Sequence, residues 1–367
     1  MTTGPARRTA GAVLALLVLT AMGCAAPVGE TTTQTPPVVA TGPETRVVVD
    51  ISGREVTIPA DVTKVAGMVA VSIDPTIMLG ATDQMVARSI DTDYWSELVD
   101  PAYGTIPRVE GRDANIEQLI ESGTQVAFMF EGYPDINDKL EEAGIAVVHT
   151  IRARSDDGIS TPEDFIEEKK REIMLHGEVF GGEALERAKR WSAYADEAVE
   201  EIYSRTKDLS AEERPRVYYV RGPEALRIHG GESHTRYLVE LAGGELVSQE
   251  DAEQLYNTTM EQVVAWDPEY IIMGRVDNVE LVTEDPAWES IQAVKDGNVY
   301  VNLKAIGPAD YSTMSLVMMQ QIATILHPDL FSDIDMVEKV KEYFATFYDY
   351  ELTDEEAVEV LTFARPD

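Results

Sequence analysis

Polar, charged and aromatic residues follow the predicted strands in both halves of this chain, where their side chains could bind a ligand. In open α/β sheets, ligands bind outside the carboxyl ends of the strands. In the first half these positions hold Ser72, Asp93, Tyr94, Trp95, Glu131, Tyr133, His149, Arg152 and Arg154. In the second half they hold Arg221, Arg227, His229, His234, Arg275 and Tyr311. Guanidinium groups pair with anions in a forked geometry, and aromatic rings stack on flat ligands. The pattern predicts a cleft for an anionic or chelated ligand. Alternatively, each arginine is a solvated surface charge, and Tyr94 and Trp95 are packed in the core.

Two histidines, His229 and His234, lie in the short stretch HGGESH. Imidazole pairs can complete the coordination shell of a chelated transition metal, but such residues also serve as loop or capping groups. The chain has 5 histidines and 1 cysteine, which argues against a preformed metal cage. It also lacks the G-x-S-x-G, H-E-x-x-H, P-loop and G-x-G-x-x-G motifs of common enzyme classes. We therefore expect a binding protein that has no catalytic residues and no cofactor.

The elements that would position these residues form two α/β halves around one long helix. Residues 183–207 carry apolar side chains at steps of three and four, which is typical of an α-helix with one buried stripe. On each side of it, apolar strands alternate with short helices, a spacing that favours parallel β-α-β packing. We predict an α/β fold of two β-α-β lobes joined by the long helix, with the ligand cleft between the lobes. The predicted boundaries are a signal peptide (1–23), a disordered tether (24–45), an N-terminal α/β lobe (46–180), the linking helix (181–209) and a C-terminal α/β lobe with a helical tail (210–367).

Single elements can also be predicted. Alternating apolar residues around Ser52 and Gly53 predict a β-hairpin at residues 46–59. An apolar run predicts a strand at residues 65–71, and a Met-rich run predicts a helix at residues 311–326. The second half is expected to repeat the parallel scheme of the first.

The N-terminus carries an export signal. Arg7 and Arg8 precede an apolar run at residues 10–23 that is too short for a stable membrane span. Cys24, the single cysteine, follows this run and resembles the processing site of a bacterial lipoprotein. We expect Cys24 to carry a lipid that anchors the protein to the outer face of the cytoplasmic membrane or in the periplasm. Plain secretion, with cleavage near Ala26, is the alternative.

The acidic composition excludes one class of partner. The formal net charge is −36 and the isoelectric point is near 4.4. Nucleic-acid phosphates would be repelled, so we expect no nucleic-acid partner.

Several motifs together resemble the substrate-binding proteins of ABC importers for metal chelates. They are DISGREVTIP (50–59), NIEQL followed by QVAF (115–128), RVYYV (216–220), YLVELAGG (237–244), MEQVVAWDPEYII (260–272) and WESIQAVKDGNVY (288–300). The resemblance extends over nearly all of residues 46–330. It implies two lobes on one rigid linking helix with little hinge motion. It also implies a receptor that passes its ligand to a permease dimer with ATPase subunits.

The resemblance implies roles for particular residues as well. Glu117 and Glu261 match the acids that dock such receptors to arginines of the permease. Members of the family bind ferric siderophores, cobalamin or haem. The expected ligand is therefore a small-molecule metal chelate, and an iron chelate is the preferred candidate. Gly307, Pro308 and Ala309 stand where the family usually carries an arginine, so no ligand-contacting arginine is assigned there. Cobalamin, haem or an inorganic oxyanion is the alternative ligand, and a chelatase-like enzyme or an adhesive lipoprotein is the alternative class.

Overall fold

The computed structural model describes residues 44–362, except 90, 92, 111–114, 153–158, 252 and 305. The predicted lipidation site Cys24, the signal peptide and Arg154 lie outside the described residues. No helix in the described part of the chain is both long and apolar enough to cross a membrane.

The strands form three sheets in the described part of the chain. They are β1 (Thr45–Val49), β2 (Glu55–Pro59), β3 (Val65–Gly67), β4 (Met85–Arg88), β5 (Val126–Phe130), β6 (Ala146–Ile151), β7 (Arg216–Val220), β8 (Arg227–His229), β9 (Glu245–Leu246), β10 (Leu255–Asn257), β11 (Tyr270–Met273) and β12 (Val299–Val301). The helices are α1 (Ile73–Met78), α2 (Tyr94–Val99), α3 (Pro101–Gly104), α4 (Ile116–Glu121), α5 (Pro134–Glu142), α6 (Pro162–Phe180), α7 (Gly182–Thr206), α8 (His234–Leu241), α9 (Met260–Trp266), α10 (Glu280–Thr283), α11 (Gln292–Asp296), α12 (Ser315–Leu326), α13 (Met336–Phe347) and α14 (Asp354–Thr362).

The N-terminal lobe is built on a parallel sheet in the order β4-β3-β5-β6. Strand β5 reads VAFMF and is buried along nearly its whole length, as expected for a parallel strand with both faces covered. The predicted hairpin is confirmed: β1 and β2 pair antiparallel, and Gly53 takes a φ of +82° in the turn.

The C-terminal lobe has a mixed sheet in the order β10-β8-β7-β11-β12, with β9 added beside β7. Strands β7, β9, β11 and β12 are parallel, whereas β8 pairs antiparallel with both β7 and β10. The parallel scheme expected for this lobe is confirmed for β7, β9, β11 and β12, whereas β8 and β10 were not predicted. A connection as short as the one between β7 and β8 can join only antiparallel strands.

Helix α7 joins the two lobes and has 25 residues, a length of about 37 Å. Its buried stripe is the predicted one, with Ala188, Trp191 and Ala195 fully buried. Small residues let it lie close to α6, where Gly177 faces Ala188. One hydrophobic core runs through both lobes, α7 and the tail, and includes Phe128, Trp191 and Tyr219.

The C-terminal tail, α13 and α14, also contacts the N-terminal lobe. Phe344 packs edge-on against Trp95 with ring centroids 5.9 Å apart. Arg187 of α7 donates to the carbonyl of Phe347 at 2.7 Å. The sequence analysis assigned this tail to the C-terminal lobe alone. A contact between segments far apart in the chain leaves no periodic pattern from which it could be predicted.

Two predicted boundaries differ from the structure. The strand expected at 65–71 ends at Gly67, and residues 70–72 form a 3₁₀ turn that leads into α1. The helix expected from Tyr311 begins at Ser315, so Tyr311 lies in a loop. In this segment the backbone N–H of Thr313 donates to Asp74 and that of Met314 donates to Oγ of Ser312, so these groups do not make helical hydrogen bonds.

Candidate ligand-binding site

A cavity of about 690 Å³ opens at the carboxyl ends of strands from both sheets. Its volume lies within the roughly 300–1,000 Å³ typical of small-molecule sites. The lining residues are Ile51, Met68, Val69, Ala70, Val71, Ser89, Phe130, Tyr133, Thr150, Ile151, Arg152, Ile159, Phe165, Glu168, Lys169, Glu172, Arg221, His234, Gln254, Leu255 and Tyr311.

Strand direction explains how the cavity forms. Ser89 follows β4, Phe130 ends β5, Arg152 follows β6 and Arg221 follows β7. Because parallel strands end at the same edge of a sheet, these residues meet although they are far apart in sequence. Of the predicted ligand-binding residues, the structure brings Tyr133, Arg152, Arg221, His234 and Tyr311 to the cavity.

Helix α6 supplies one wall of the cavity. Phe165, Glu168, Lys169 and Glu172 lie on one helical face, at spacings of three and four residues. Lys169 is 4% exposed, and its Nζ lies 2.8 Å from Oε2 of Glu172. Glu168 accepts from Nε of Arg152 at 2.5 Å. The charges of Lys169 and Arg152 are thus balanced by carboxylates of α6.

Arg221 differs from these two cations. Its Nε is buried without a hydrogen-bond partner among the described residues, and its Nη1 donates only to the carbonyl of Gly222, at 3.3 Å. In the described part of the chain no carboxylate lies within ion-pair distance of it. Burial, and next the charge of Arg275, lower the pKa of Arg221, since both disfavour the cationic form. The negative charge of an anion in the cavity would offset both effects, because it favours the cationic form of Arg221.

Arg275 supports the cavity from behind. Its Nη2 donates to both carboxylate oxygens of Asp310 at 3.1 Å, and its guanidinium lies 4.8 Å from the ring centroid of Tyr311. Arg275 does not line the cavity. It instead holds Tyr311, which does.

The two histidines occupy different environments. His229 is buried, its Nδ1 lies 2.8 Å from Oγ1 of Thr235, and its ring stacks on Tyr219 at 5.5 Å. Burial, together with the charges of Arg275 and Arg221, lowers the pKa of His229 to about 3, so this side chain is neutral. His234 begins α8 and lines the cavity, with its ring 5.3 Å from that of Tyr311. Within the described ranges, no three His, Cys, Asp or Glu side chains are grouped so as to hold a metal ion.

Comparison with known proteins identifies the family. The sequence pattern of periplasmic binding proteins matches residues 71–304. The chain belongs to the periplasmic binding protein family. The molybdate-binding protein MolA of Haemophilus influenzae is 26% identical over 330 residues, which cover 83% of this chain and 91% of MolA. The uncharacterized ABC transporter substrate-binding lipoprotein YvrC of Bacillus subtilis is 21% identical over 293 residues, covering 77% of this chain and 86% of YvrC.

Solved structures show the same architecture. MolA bound to molybdate superposes with a TM-score of 0.74 at 25% identity, covering 84% of this chain and 99% of MolA. A periplasmic solute binding protein from Veillonella parvula also superposes with a TM-score of 0.74. It is 21% identical, and the match covers 88% of this chain and 98% of the Veillonella chain. The resemblance to ABC-transporter binding proteins and the two-lobed α/β fold are thereby confirmed. Membership of a solute-binding family agrees with a binding protein rather than an enzyme, and it implies a location outside the cytoplasm.

Several predicted site residues of this periplasmic binding protein lie away from the cavity. Trp95 is in the core against Phe344, and Tyr94 is half exposed at the start of α2. Arg227 donates to Asn257 at 3.1 Å on the surface. The remaining residues outside the cavity lining are Ser72, Asp93, Glu131, His149, His229 and Arg275. The common reason is that a strand end specifies an edge of the sheet but not the direction of each side chain.

The sequence prediction missed Phe130 and the α6 wall. Lys169 and Glu172 are charged residues within the buried stripe of α6, in register with Phe165 and His176. A lysine and a glutamate in an apolar register are a signal of a polar buried surface, because charges are buried only where they are paired or bind something.

Proposed function

We propose that this protein is an extracytoplasmic receptor that binds an anionic solute between its lobes and delivers it to an ABC importer. The observation that carries the proposal is Arg221, a half-buried guanidinium that lines a 690 Å³ cavity and whose Nε is buried without a hydrogen-bond partner among the described residues. Buried polar groups are normally hydrogen-bonded, so a cationic side chain with an unsatisfied Nε at a cavity wall is suited to an incoming anion. Family membership and the name of YvrC support the role in ABC transport.

The preferred ligand is an anionic iron chelate of the ferric siderophore type. The cavity is far larger than a single tetrahedral oxyanion, and Phe130, Tyr133 and Phe165 offer aromatic faces to the flat groups of a chelator. A chelate brings its metal already coordinated, which suits a cavity without a cluster of metal ligands in the described residues. Cobalamin and haem are alternatives of similar kind.

An oxyanion is the second candidate. It is favoured by MolA, which is named and solved as a molybdate-binding protein and is 26% identical to this chain. Arg221 would serve this ligand equally well, since guanidinium groups bind oxyanions in a forked geometry.

The experiment compares Arg221→Ala with Arg227→Ala, a matched control in which the lost arginine is at the surface. Binding of ferric tris-catecholate and of molybdate is measured by calorimetry. We expect Arg221→Ala to weaken binding of the true ligand class by about 2 kcal/mol or more, roughly 30-fold, while Arg227→Ala has little effect. Tight binding of only one probe by the unmodified protein separates chelate from oxyanion. Equal affinities of both variants for a bound probe would contradict the assignment of Arg221.

Docking to the permease is proposed at two equivalent helices. Glu117 is the second residue of α4 and Glu261 the second of α9, both exposed after the side-chain caps Asn115 and Thr259. One turn further on, Ile120 and Val264 are 53% and 48% exposed. Each lobe thus presents an acid beside an aliphatic side chain, which suits a permease dimer with paired basic and apolar positions.

A lipid anchor at Cys24 is also part of the proposal. It is supported by the apolar run before Cys24 and by YvrC, a relative named as a lipoprotein.

A further inference from the structure

The loop at residues 307–314 forms part of the cavity wall through Tyr311, and it is held at both ends from the other lobe. Asp93 Oδ2 accepts from the backbone N–H of Gly307 at 2.8 Å. Asp74 Oδ2 accepts from the backbone N–H of Thr313. Both carboxylates belong to the N-terminal lobe, whereas the loop follows β12 of the C-terminal lobe. The position of Tyr311 therefore depends on contacts between lobes.

Asp74 also reaches the C-terminal tail. It is 3% exposed, and its Oδ1 accepts from the hydroxyl of Tyr348 at 2.5 Å. The hydroxyl of Tyr343 donates to Oγ1 of Thr313 at 2.6 Å and accepts from Nε1 of Trp191 at 3.0 Å. We call Asp74, Thr313, Tyr343 and Tyr348 the Asp74 clamp. It connects the N-terminal lobe, the loop, the linking helix and the tail.

Burying the Asp74 carboxylate costs more free energy than burying an apolar side chain in the same place. Burial raises the pKa of Asp74 to about 6, although the donors Tyr348 and Thr313 and the charge of Lys169 act to lower it. Apolar residues of similar volume often replace buried charges without loss of stability, whereas a satisfied polar network selects one arrangement of its members. A positional role accounts for a carboxylate at this place better than packing does.

The clamp acts next to the ligand cavity. Lys169, which lines the cavity and interacts with Asp74, has its Nζ 3.4 Å from the carbonyl of Tyr311. Arg275 and Asp310 hold the other side of Tyr311. Loss of the contact between Asp74 and Thr313 would free the end of the loop nearest α12.

We propose that Asp74 is a positioning residue for ligand binding: the Asp74 clamp fixes the 307–314 loop, so that the C-terminal tail sets ligand affinity without touching the ligand. This inference rests on the proposed function, because it takes the cavity as the ligand site.

The test compares Tyr348→Phe with Tyr350→Phe. The first removes one hydroxyl from the clamp and keeps the ring. The second makes the same change in the same region, at a hydroxyl that donates to Glu356 at 2.9 Å and does not contact the clamp. Hydrogen–deuterium exchange is followed in peptides that contain residues 307–314, and binding of ferric tris-catecholate and molybdate is measured by calorimetry. We expect Tyr348→Phe to speed exchange of this loop and to weaken binding roughly tenfold. Tyr350→Phe should do neither.

A graded series at Asp74 tests the contribution of the carboxylate itself. Asn keeps one carbonyl acceptor and Ala keeps none, so loop protection should fall in the order Asp, Asn, Ala. Equal loop exchange in Tyr348→Phe and Tyr350→Phe would overturn the proposal, and so would equal affinity for a probe that binds. If neither probe binds, the proposed ligand class fails, while loop exchange still decides the clamp. If Arg221→Ala leaves affinity unchanged but Tyr348→Phe frees the loop, the cavity assignment fails and the clamp stands as a structural feature only.

Discussion

Arg221 and Lys169 show how partners decide the role of a cation that lines the cavity. Lys169 has Glu172 at 2.8 Å, so its charge is already compensated before any ligand arrives. Arg221 has no such carboxylate in the described part of the chain, and its Nε makes no hydrogen bond there. Of these two cations in the cavity lining, only Arg221 would gain an ion-pair partner from a bound anion.

Asp74 gives the protein a characteristic pH dependence. Its pKa is about 6 in the folded protein against an ordinary value of 3.8, so the folded state holds this proton more tightly than the unfolded chain. Its contribution to stability is fully present below pH 3.8 and is lost as the pH rises through about 6, by roughly 3 kcal/mol. We expect the free energy of unfolding of the unmodified protein, minus that of Asp74→Asn, to fall by most of this amount between pH 4 and pH 8. Urea titrations at both pH values measure it, and other titrating groups cancel in the difference. A difference that does not change with pH would contradict the prediction.

The sequence predicts where the site lies better than it predicts which side chains line it. Arg152, Arg221 and Tyr311 lie at strand ends or in the following loops, so topology alone brings them to one edge. Trp95 has the same kind of position, but its ring packs against Phe344, more than two hundred residues later in the chain. Such a contact is decided by tertiary packing, which no local pattern contains.

Helices α6 and α7 meet at a contact that tolerates no added atom. A Cβ on Gly177 would lie 2.6 Å from Cβ of Ala188 and 3.1 Å from the carbonyl of Ala184. Alanine is the better helix former by about 1 kcal/mol, but overpacking in a core costs about 1–3 kcal/mol. We expect Gly177→Ala to lower the free energy of unfolding by about 1–2 kcal/mol, as measured by urea titration.

The complementary change is the control for this prediction. Ala188→Gly removes the atom with which the new methyl group collides. The double variant should therefore be more stable than the sum of the single effects implies, because contacting residues couple. Strictly additive effects would show that the two positions do not meet.

Elements with strong periodicity are predictable, and irregular ones are not. Periodicity predicts α7 to within one residue at each end, because its buried stripe repeats over 25 residues. The antiparallel strand β8 has three residues and carries no comparable signal. It joins the sheet through its pairing with β7 and β10, which is a property of the folded lobe.

The docking surface proposed for the whole molecule has one acid on each lobe. Acids at the start of α4 and α9 are also favoured by the helix dipole, by about 0.3–1 kcal/mol, which is the alternative reason for their presence. We expect Glu117→Ala with Glu261→Ala to leave the fold and ligand binding intact and to abolish stimulated ATP hydrolysis by the reconstituted transporter. Charges at the rim of an interface affect the rate of encounter and the relative orientation of the partners more than the affinity.

The matched control removes two exposed acids elsewhere, Glu197→Ala with Glu355→Ala, and makes the same change in net charge. This variant should stimulate the ATPase normally. Normal stimulation by the Glu117/Glu261 variant as well would mean that the two acids only stabilise their helices.

The proposed attachment to a membrane gives the other prediction at the scale of the whole molecule. If Cys24 carries lipid, Cys24→Ser should move the protein from the membrane fraction to the soluble fraction of its host. Ser keeps the size of the side chain and removes the thiol that would be acylated. Immunoblots of separated fractions measure the distribution. Equal retention of both forms in the membrane would contradict lipidation.

The recessed position of Arg221 in an acidic protein has a kinetic consequence. The chain carries a formal net charge of −36, so an approaching anion is repelled by the outer surface before it meets the guanidinium inside. Exposed charges are screened beyond about 8 Å at physiological ionic strength, whereas a buried pair is screened much less. For the proposed anionic solute, the outer surface would therefore limit the rate of association, and the cavity would determine the rate of release. Added salt should speed capture of the solute, the opposite of what is found when receptor and ligand attract each other at long range.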